Sequence, residues 1–385
     1  MPFPERKMDV KKAILYYLYL NKSAIRQEIM NSLRMRLNNI VAACDSLLEE
    51  EMIRKEDQSK QRSVRLELVP EKFMCIGAEH LPDFLVMTLM DGAGKELERR
   101  QCILPEALGG KERLNLILEK LSAFKNELVD ENSGARLASL GLADVGIFDP
   151  VSGKSIYAAH VKDWAGQEIK AALQKQFACH VEVLSRSDAG CYMDIFHGGK
   201  KQVENLIYII VKGGIGATLV LHGNFLREYL PSSGEMHIRV KEDGPLCSCG
   251  KRGCLESISS ADGLLMRYIL EGNKKNKRRK NITLKELVQQ AEEGDAFCVR
   301  LLEEGGTALG RAAADLAGFT GINRIVLRSE VKDEKDIFTG NFRNALKENM
   351  LSSLAETLDI SCGSIGKSDA PAGAALYSLN RYFTE

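Results

Sequence analysis

The chain has 385 residues, with 53 Lys and Arg against 53 Asp and Glu, so its formal net charge is zero. At about 100–200 residues per folding unit it holds two or three domains. Balanced charge excludes a chain that is basic throughout but allows one basic face. The absence of any run of 18 or more apolar residues excludes a membrane-spanning helix, and ten cysteines are too sparse for a secreted disulfide scaffold. Met1-Pro2-Phe3-Pro4 runs into Glu5-Arg6-Lys7 without a signal-type apolar core, so a cytoplasmic protein with no membrane partner is expected.

Residues 1–70 form the first expected domain. They carry thirteen Lys and Arg against ten Asp and Glu, so positive charge is mildly concentrated here. Val10, Ala13, Ile14, Tyr17 and Leu18 recur at helical spacing. Asn21-Lys22-Ser23 breaks that helix. Ala24 to Met30 predicts a short second helix burying Ile25 and Ile29. A third opens at Asn38-Asn39, with Ile40, Cys44, Leu47 and Leu48 inward. A strand beginning at Met52-Ile53, a turn at Asp57-Gln58-Ser59-Lys60, and the alternation of Val64, Leu66 and Leu68 (inward) with Arg65 and Glu67 (outward) complete a hairpin.

Three helices and a hairpin make a winged helix-turn-helix, in which the third helix enters the major groove of DNA. Arg34, Arg36, Asn38 and Asn39 at the start of that helix, and Lys60 and Arg62 on the wing with Lys55 and Arg65, are the expected DNA contacts. A helical dimerisation domain with a solvated basic surface is the alternative. On the DNA-binding reading, the run Glu49-Glu50-Glu51 must point away from DNA.

Cys247, Cys249 and Cys254 lie within eight residues on a loop that also holds Gly244, Gly250 and Gly253. Glycines let the backbone turn tightly enough for thiolates to converge. Tetrahedral zinc needs four ligands, and His237 is the expected fourth, giving a closed structural Zn2+ site that holds a loop and does not activate water. Free buried cysteines are the alternative. The basic run Lys274-Lys275-Asn276-Lys277-Arg278-Arg279-Lys280 is expected to be a solvated loop.

Cys247-x-Cys249-Gly250-x-x-Gly253-Cys254-x-Glu256 resembles the signature of the ROK proteins: repressors, open reading frames and sugar kinases. Further stretches resemble the same family: Gly213-Gly214-Ile215-Gly216-Ala217 after the apolar strand Leu206 to Val211, Ser187-Asp188 in place of an Asn-Asp pair, Gly141 to Asp149 followed by Trp164, and Ala372-Gly373-Ala374-Ala375. The resemblance covers residues of about 74 to 380, and a winged helix ahead of such a body is similar to the repressor branch.

The resemblance implies an α/β fold: an N-terminal winged helix followed by two actin/hexokinase-like (ribonuclease H-like) lobes with a ligand cleft between them. The lobes are expected at 71–187, with 370–385 packing back, and at 188–369, with the zinc loop at 237–256. The implied sugar contacts are Ser187, Asp188, Glu235, His237 and Glu256. Carboxylates suit the vicinal hydroxyls of a sugar. Ser187 departs from the family asparagine. Glu235 lies two residues before His237, where the family has three, so Glu235 or Gly234 occupies the family's glutamate position.

Kinases of this fold need a first phosphate loop of the form Asp-x-Gly-x-Thr. The corresponding stretch, Glu79-His80-Leu81-Pro82-Asp83, puts bulk at the glycine, removes an N–H donor and adds negative charge toward phosphate. The function that the resemblance implies is a sugar-responsive transcriptional regulator of the repressor type. It is expected to bind operator DNA as a homodimer or higher oligomer and to have no catalytic residue. A ROK sugar kinase with an appended DNA-binding head, or a regulator that has lost its sugar ligand, are the alternatives.

Overall fold

A computed structural model describes residues 9–56, 64–129, 134–158, 161–196, 204–229, 236–276, 282–365 and 370–385. The wing residues Lys60 and Arg62, the turn at 57–60, the pair Gly234 and Glu235, and the end of the basic run lie outside them.

The N-terminal head runs α1 (Val10–Asn21), β1 (Ser23–Ala24), α2 (Arg26–Leu33), α3 (Leu37–Glu49), β2 (Ile53–Lys55) and β3 (Leu66–Leu68). Its strands form one antiparallel sheet in the order β1-β3-β2. Ile14, Leu18, Ile29, Ile40, Cys44, Leu47, Ile53 and Leu66 make its core. The expected three helices are present. The second starts two residues later than its periodicity suggests, because Ser23 and Ala24 are taken by β1. Two hairpin positions differ from expectation. Val64 precedes the paired part of the strand and is 54% exposed. Arg65 folds inward, donating from Nη2 to the Ser23 carbonyl at 2.8 Å and lying 3.3 Å from Glu28.

The chain divides into two compact units: 1–145 with 149–202 and 369–385, and 146–148 with 203–368. In the first unit the head is followed by β4 (Met74–His80), β5 (Phe84–Met90), β6 (Glu96–Ile103), α4 (Gly110–Leu128), β7 (Leu137–Asp144), and the short strands β8 (Ile147–Phe148, assigned to the second unit) and β9 (Ser155–Tyr157). Then come α5 (Ile169–Phe177), β10 (His180–Ser185) and α6 (Arg186–Cys191). The sheet order is β10-β7-β4-β5-β6, with β4, β7 and β10 parallel and β5 and β6 antiparallel. The boundary expected between 187 and 188 falls inside α6, which packs with the first unit.

The second unit contains β11 (Leu206–Val211), β12 (Ile215–Leu221), β13 (Asn224–Phe225), α7 (Leu255–Ser259), α8 (Ala261–Asn276), α9 (Leu284–Glu292), α10 (Ala296–Thr320), β14 (Arg324–Ser329), α11 (Ile337–Glu348), α12 (Ser352–Ala355) and β15 (Asp359–Ser364). Its sheet, β13-β12-β11-β14-β15, repeats the strand order and directions of the first: an antiparallel meander continued by two parallel strands. No helix among the described residues is long and apolar enough to cross a membrane.

The last helix, α13 (Ala370–Thr384), returns to the first unit. Its Ala-Gly-rich start exists because backbone meets backbone there. A Cβ at Gly77 would lie 1.8 Å from the Pro371 carbonyl oxygen, one at Gly141 2.0 Å from that of Ala374, and one at Gly373 1.8 Å from that of Ala189. We predict that Gly373→Ala destabilises the protein by about 1–3 kcal/mol through overpacking. Urea unfolding followed by circular dichroism checks this, and an unchanged midpoint would mean that α13 does not press on α6.

Candidate functional site

The cysteine loop is built by its own backbone. Gly250 and Gly253 adopt φ of 83° and 72°, which side-chain-bearing residues rarely adopt, and a Cβ at Gly253 would lie 1.6 Å from the Lys241 carbonyl oxygen. Cys247 N–H donates to Lys251 at 2.8 Å and Gly250 N–H to Cys247 at 2.9 Å. Leu255 N–H donates to Ile238 at 2.8 Å, which brings the His237 segment beside the loop.

His237, Cys247, Cys249 and Cys254 offer ligand atoms that all lie within 4.8 Å of one another. Cys249 Sγ is 3.7 Å from Cys254 Sγ, and Cys247 Sγ is 3.4 Å from His237 Nδ1. Four ligands at about 2.0–2.3 Å in a tetrahedron have such separations, so the donor set fits zinc. Burial pushes the Cys254 thiol up to about 12, with the neighbouring thiols adding to the rise. Only a bound cation would make three adjacent thiolates tolerable at neutral pH. The four residues are therefore a Cys/His site compatible with structural zinc.

Glu256, at the start of α7, leans on this loop. Its Oε1 accepts from Ser248 Oγ at 2.9 Å and lies 3.6 Å from Cys247 Sγ and 4.0 Å from His237 Nδ1. Its Oε2 reaches the glycine turn between β11 and β12: a Cβ at Gly214 would lie 2.9 Å from it, and one at Gly213 2.8 Å from Asp262 Oδ2. Two carboxylates thus face the turn that resembles a phosphate loop. No spacing or motif in the sequence singles out Asp262 for that place.

In the first unit Ser187 and Asp188 open α6. Ser185 Oγ accepts the Asp188 N–H at 3.0 Å and contacts Ser187 Oγ at 3.0 Å. Both residues are buried. The stretch corresponding to the first phosphate loop is a tight turn between β4 and β5, closed by Leu81 N–H donating to Phe84 at 2.8 Å. Glu79 is buried and holds Arg186 Nε at 2.8 Å. The Asp83 side chain is exposed, while its carbonyl accepts from Leu104 N–H at 2.8 Å.

Beneath that turn lies a polar network that sequence reasoning missed. His80 Nδ1 donates to Asp144 Oδ1 at 2.7 Å, and Trp164 Nε1 donates to Asp144 Oδ2 at 2.9 Å. Arg113 Nη1 donates to His80 Nε2 at 3.0 Å and to the Leu81 carbonyl at 3.3 Å. Its Nη2 donates to the carbonyls of Pro82 at 2.6 Å and Pro105 at 3.1 Å, and its Nε to Leu108 at 2.9 Å. The guanidinium has no acceptor capacity, so His80 Nε2 must accept and Nδ1 carry the proton. Burial lowers the Arg113 pKa, and all five of its N–H groups are satisfied. The turn is tied from below by its own carbonyls.

Arg34, Arg36, Asn38 and Asn39 are exposed together on the head. Arg34 ends α2 in the left-handed region with φ of 52°, and Arg36 is the N-cap of α3. At the far end of α3, Glu50 pairs with Lys11 at 2.5 Å and Glu51 with Lys72 at 3.3 Å. Two of the three residues of the acidic run are thus paired within the first unit.

The sequence model of the ROK family matches residues 78–380. The chain belongs to the ROK family. Among curated ROK-type relatives, the xylose repressor of Bacillus subtilis is 21% identical over 94% of this chain and 92% of its own length. The N-acetylglucosamine repressor of Escherichia coli O6:H1 is 25% identical over 82% and 78%. A solved ROK family transcriptional regulator, described as a homolog of the E. coli MLC protein, superposes with a TM-score of 0.81 at 18% identity, covering 98% of both chains. The family match begins after the head, whereas the regulator structure extends over head and body.

Proposed function

We propose that the protein is a sugar-responsive transcriptional repressor whose head binds operator DNA and whose body binds a sugar or sugar derivative without phosphorylating it. The observation that carries this reading is the regulator-type fold match across the head as well as the ROK body. The head presents Arg34, Arg36, Asn38 and Asn39 at the exposed start of α3. Arginine can take phosphates or guanine edges there and asparagine adenine edges, and Lys60 and Arg62 are proposed as wing contacts. A dimer would place two such helices about one DNA turn apart or a multiple of it.

Replacing Arg34 and Arg36 together by Ala should weaken duplex binding and lower its salt slope by about 0.9 for each phosphate no longer neutralised. Fluorescence anisotropy across a salt series reads this, and an unaltered slope removes both from the interface.

Asp188, with Ser187, is the proposed sugar contact in the first unit. His237 and Glu256, with Glu235 if it holds the family position, are those of the second. A structural zinc on His237, Cys247, Cys249 and Cys254 would fix the imidazole and, through the loop, Glu256. Phosphoryl transfer is disfavoured by two features. The first turn is closed and its carbonyls are tied to Arg113, and the second is faced by Glu256 and Asp262, whose charge opposes a polyphosphate.

The retained Gly213-Gly214 turn and Asp188 favour the kinase alternative, and a sugar panel run with and without ATP separates the two. Xylose and N-acetylglucosamine head the panel, following the named relatives. A cognate sugar at about 100 times its dissociation constant adds about 2.7 kcal/mol and raises the melting temperature. Sugar-dependent ADP formation would establish the kinase instead. No shift with any sugar would favour a regulator without a sugar ligand.

A further inference from the structure

Residues 37–44 of α3 carry no charged side chain. On the face opposite the buried Ile40, Cys44 and Leu47 stand Asn38, Ala42 and Asp45, spaced by four and three residues and all exposed. Positive charge stands at the start of this stripe, on Arg34 and Arg36. At its other end the stripe reaches the Asp45 carboxylate, which by itself would repel DNA. That carboxylate is paired: Arg26 Nη2 donates to Asp45 Oδ1 at 2.5 Å.

Arg26 opens α2, and its side chain is 34% exposed, against 54% for Asp45. Ion pairs this exposed contribute little to stability, so support of the fold is a poor account of the contact. Its place along α3 is a better one. Asp45 follows Arg36 by nine residues, about 13 Å along a helix, and the major groove is about 12 Å wide. With Arg34 and Arg36 at one wall of the groove, Arg26 stands at the other. Glu49 continues the stripe one turn later, about 20 Å from Arg36 and past the width of the groove. The acid nearest Arg26 on α2, Glu28, is engaged on its own helix and by the hairpin: its Oε2 accepts the Ile25 N–H at 3.0 Å and lies 3.3 Å from Arg65 Nη2.

We propose that Arg26 is a further DNA-binding residue, a sequence-independent phosphate contact on the strand opposite Arg34 and Arg36, and that Asp45 is the residue that positions it. A guanidinium carries five N–H donors in a rigid plane, so one edge can hold a carboxylate while another takes a phosphate oxygen. Asp45 fixes the side chain before DNA arrives, which lowers the cost of ordering it on binding. The proposal rests on the DNA-binding reading of the head and is independent of any sugar.

The test measures fluorescence anisotropy of the full chain across a salt series, on a duplex selected by the purified protein from random oligonucleotides and on an unrelated duplex. Arg26→Gln is expected to lower the salt slope by about 0.9, so that the loss of affinity between 50 and 200 mM salt becomes about 3.5-fold smaller. It should weaken both duplexes by a similar factor, as a phosphate contact does. Arg26→Lys keeps the charge and should keep the slope. An unchanged slope in Arg26→Gln, a loss confined to the selected duplex, or a slope lost equally in the Lys variant overturns the phosphate contact.

Asp45→Asn is then made in the unsubstituted chain and in Arg26→Gln. Without Arg26 it removes only a negative charge near DNA and should strengthen binding. With Arg26 present it also removes the hold on the guanidinium, and the gain should be smaller by about threefold or more. Equal gains, or a larger gain with Arg26 present, would show that Asp45 does not position Arg26. An unsubstituted chain that binds neither duplex overturns the DNA-binding reading together with the proposal. Salt-dependent binding that weakens on replacing Arg34 and Arg36 but not on replacing Arg26 overturns the proposal alone.

Discussion

Cys254→Ser is expected to abolish stoichiometric metal binding and to release the loop between Met236 and Glu256. Cys254 is fully buried, its sulfur lies 3.7 Å from that of Cys249, and the loop is otherwise held by short-range backbone bonds such as Cys247 N–H to Lys251, Gly253 N–H to Pro245 and Val240 N–H to Gly253. Structural zinc in small sites is worth about 10–16 kcal/mol, more than such backbone bonds contribute at about 1 kcal/mol net each. The expected results are loss of zinc by elemental analysis, rapid proteolysis within the loop, and a lowered melting temperature that added zinc does not restore. His237→Ala should behave similarly but keep weak metal binding through three thiolates. Full zinc content in His237→Ala would remove that residue from the ligand set. A metal-free protein with an intact, protease-resistant loop would mean that the thiols are structural without a metal.

Arg113→Met should cost at least about 3 kcal/mol, through several buried acceptors left unpaired together. The methionine retains the bulk of the stem but supplies none of the five N–H bonds to His80, Leu81, Pro82, Pro105 and Leu108. His80 and Asp144 would remain buried with half their network gone, and such partly satisfied networks are worse than apolar ones. Chemical unfolding should show the loss, and amide exchange in the turn between β4 and β5 should rise with it. His80→Leu tests the same network from the other side. It removes the imidazole that links Arg113 to Asp144, so that of the two donors to the Asp144 carboxylate only the Trp164 indole stays. A stability unchanged in both variants would show that the turn holds without its polar support.

The difference between legible and illegible features follows the range of the interactions involved. Helical periodicity in Val10 to Leu18 and in Ile40 to Leu48 depends on neighbours three and four residues away, so α1 and α3 are readable. The cysteine loop is readable for a similar reason: three thiols and the glycines that let them converge lie within a dozen residues. Val64 reads as inward although it is exposed, because alternation continues in the sequence beyond the point where β3 has a partner strand. Arg65 reads as a wing charge because nothing local announces that Ser23 and Glu28 will receive it. A domain boundary at 187/188 cuts α6 because the contact that assigns this helix comes from α13, nearly two hundred residues later.

By itself the sequence determined the three helices and hairpin of the head, the grouping of three cysteines on a glycine-bearing loop, and the α/β body of a ROK protein. These are carried by residue type and short spacing. Only the tertiary structure decided that Arg113 ties the carbonyls of the turn between β4 and β5 to His80 and Asp144, that Glu256 and Asp262 face the glycine turn, and that Gly373 presses α13 onto α6. Each of these joins residues from separate elements, and hydrogen bonds and charge act over a few ångströms of space whatever the distance along the chain.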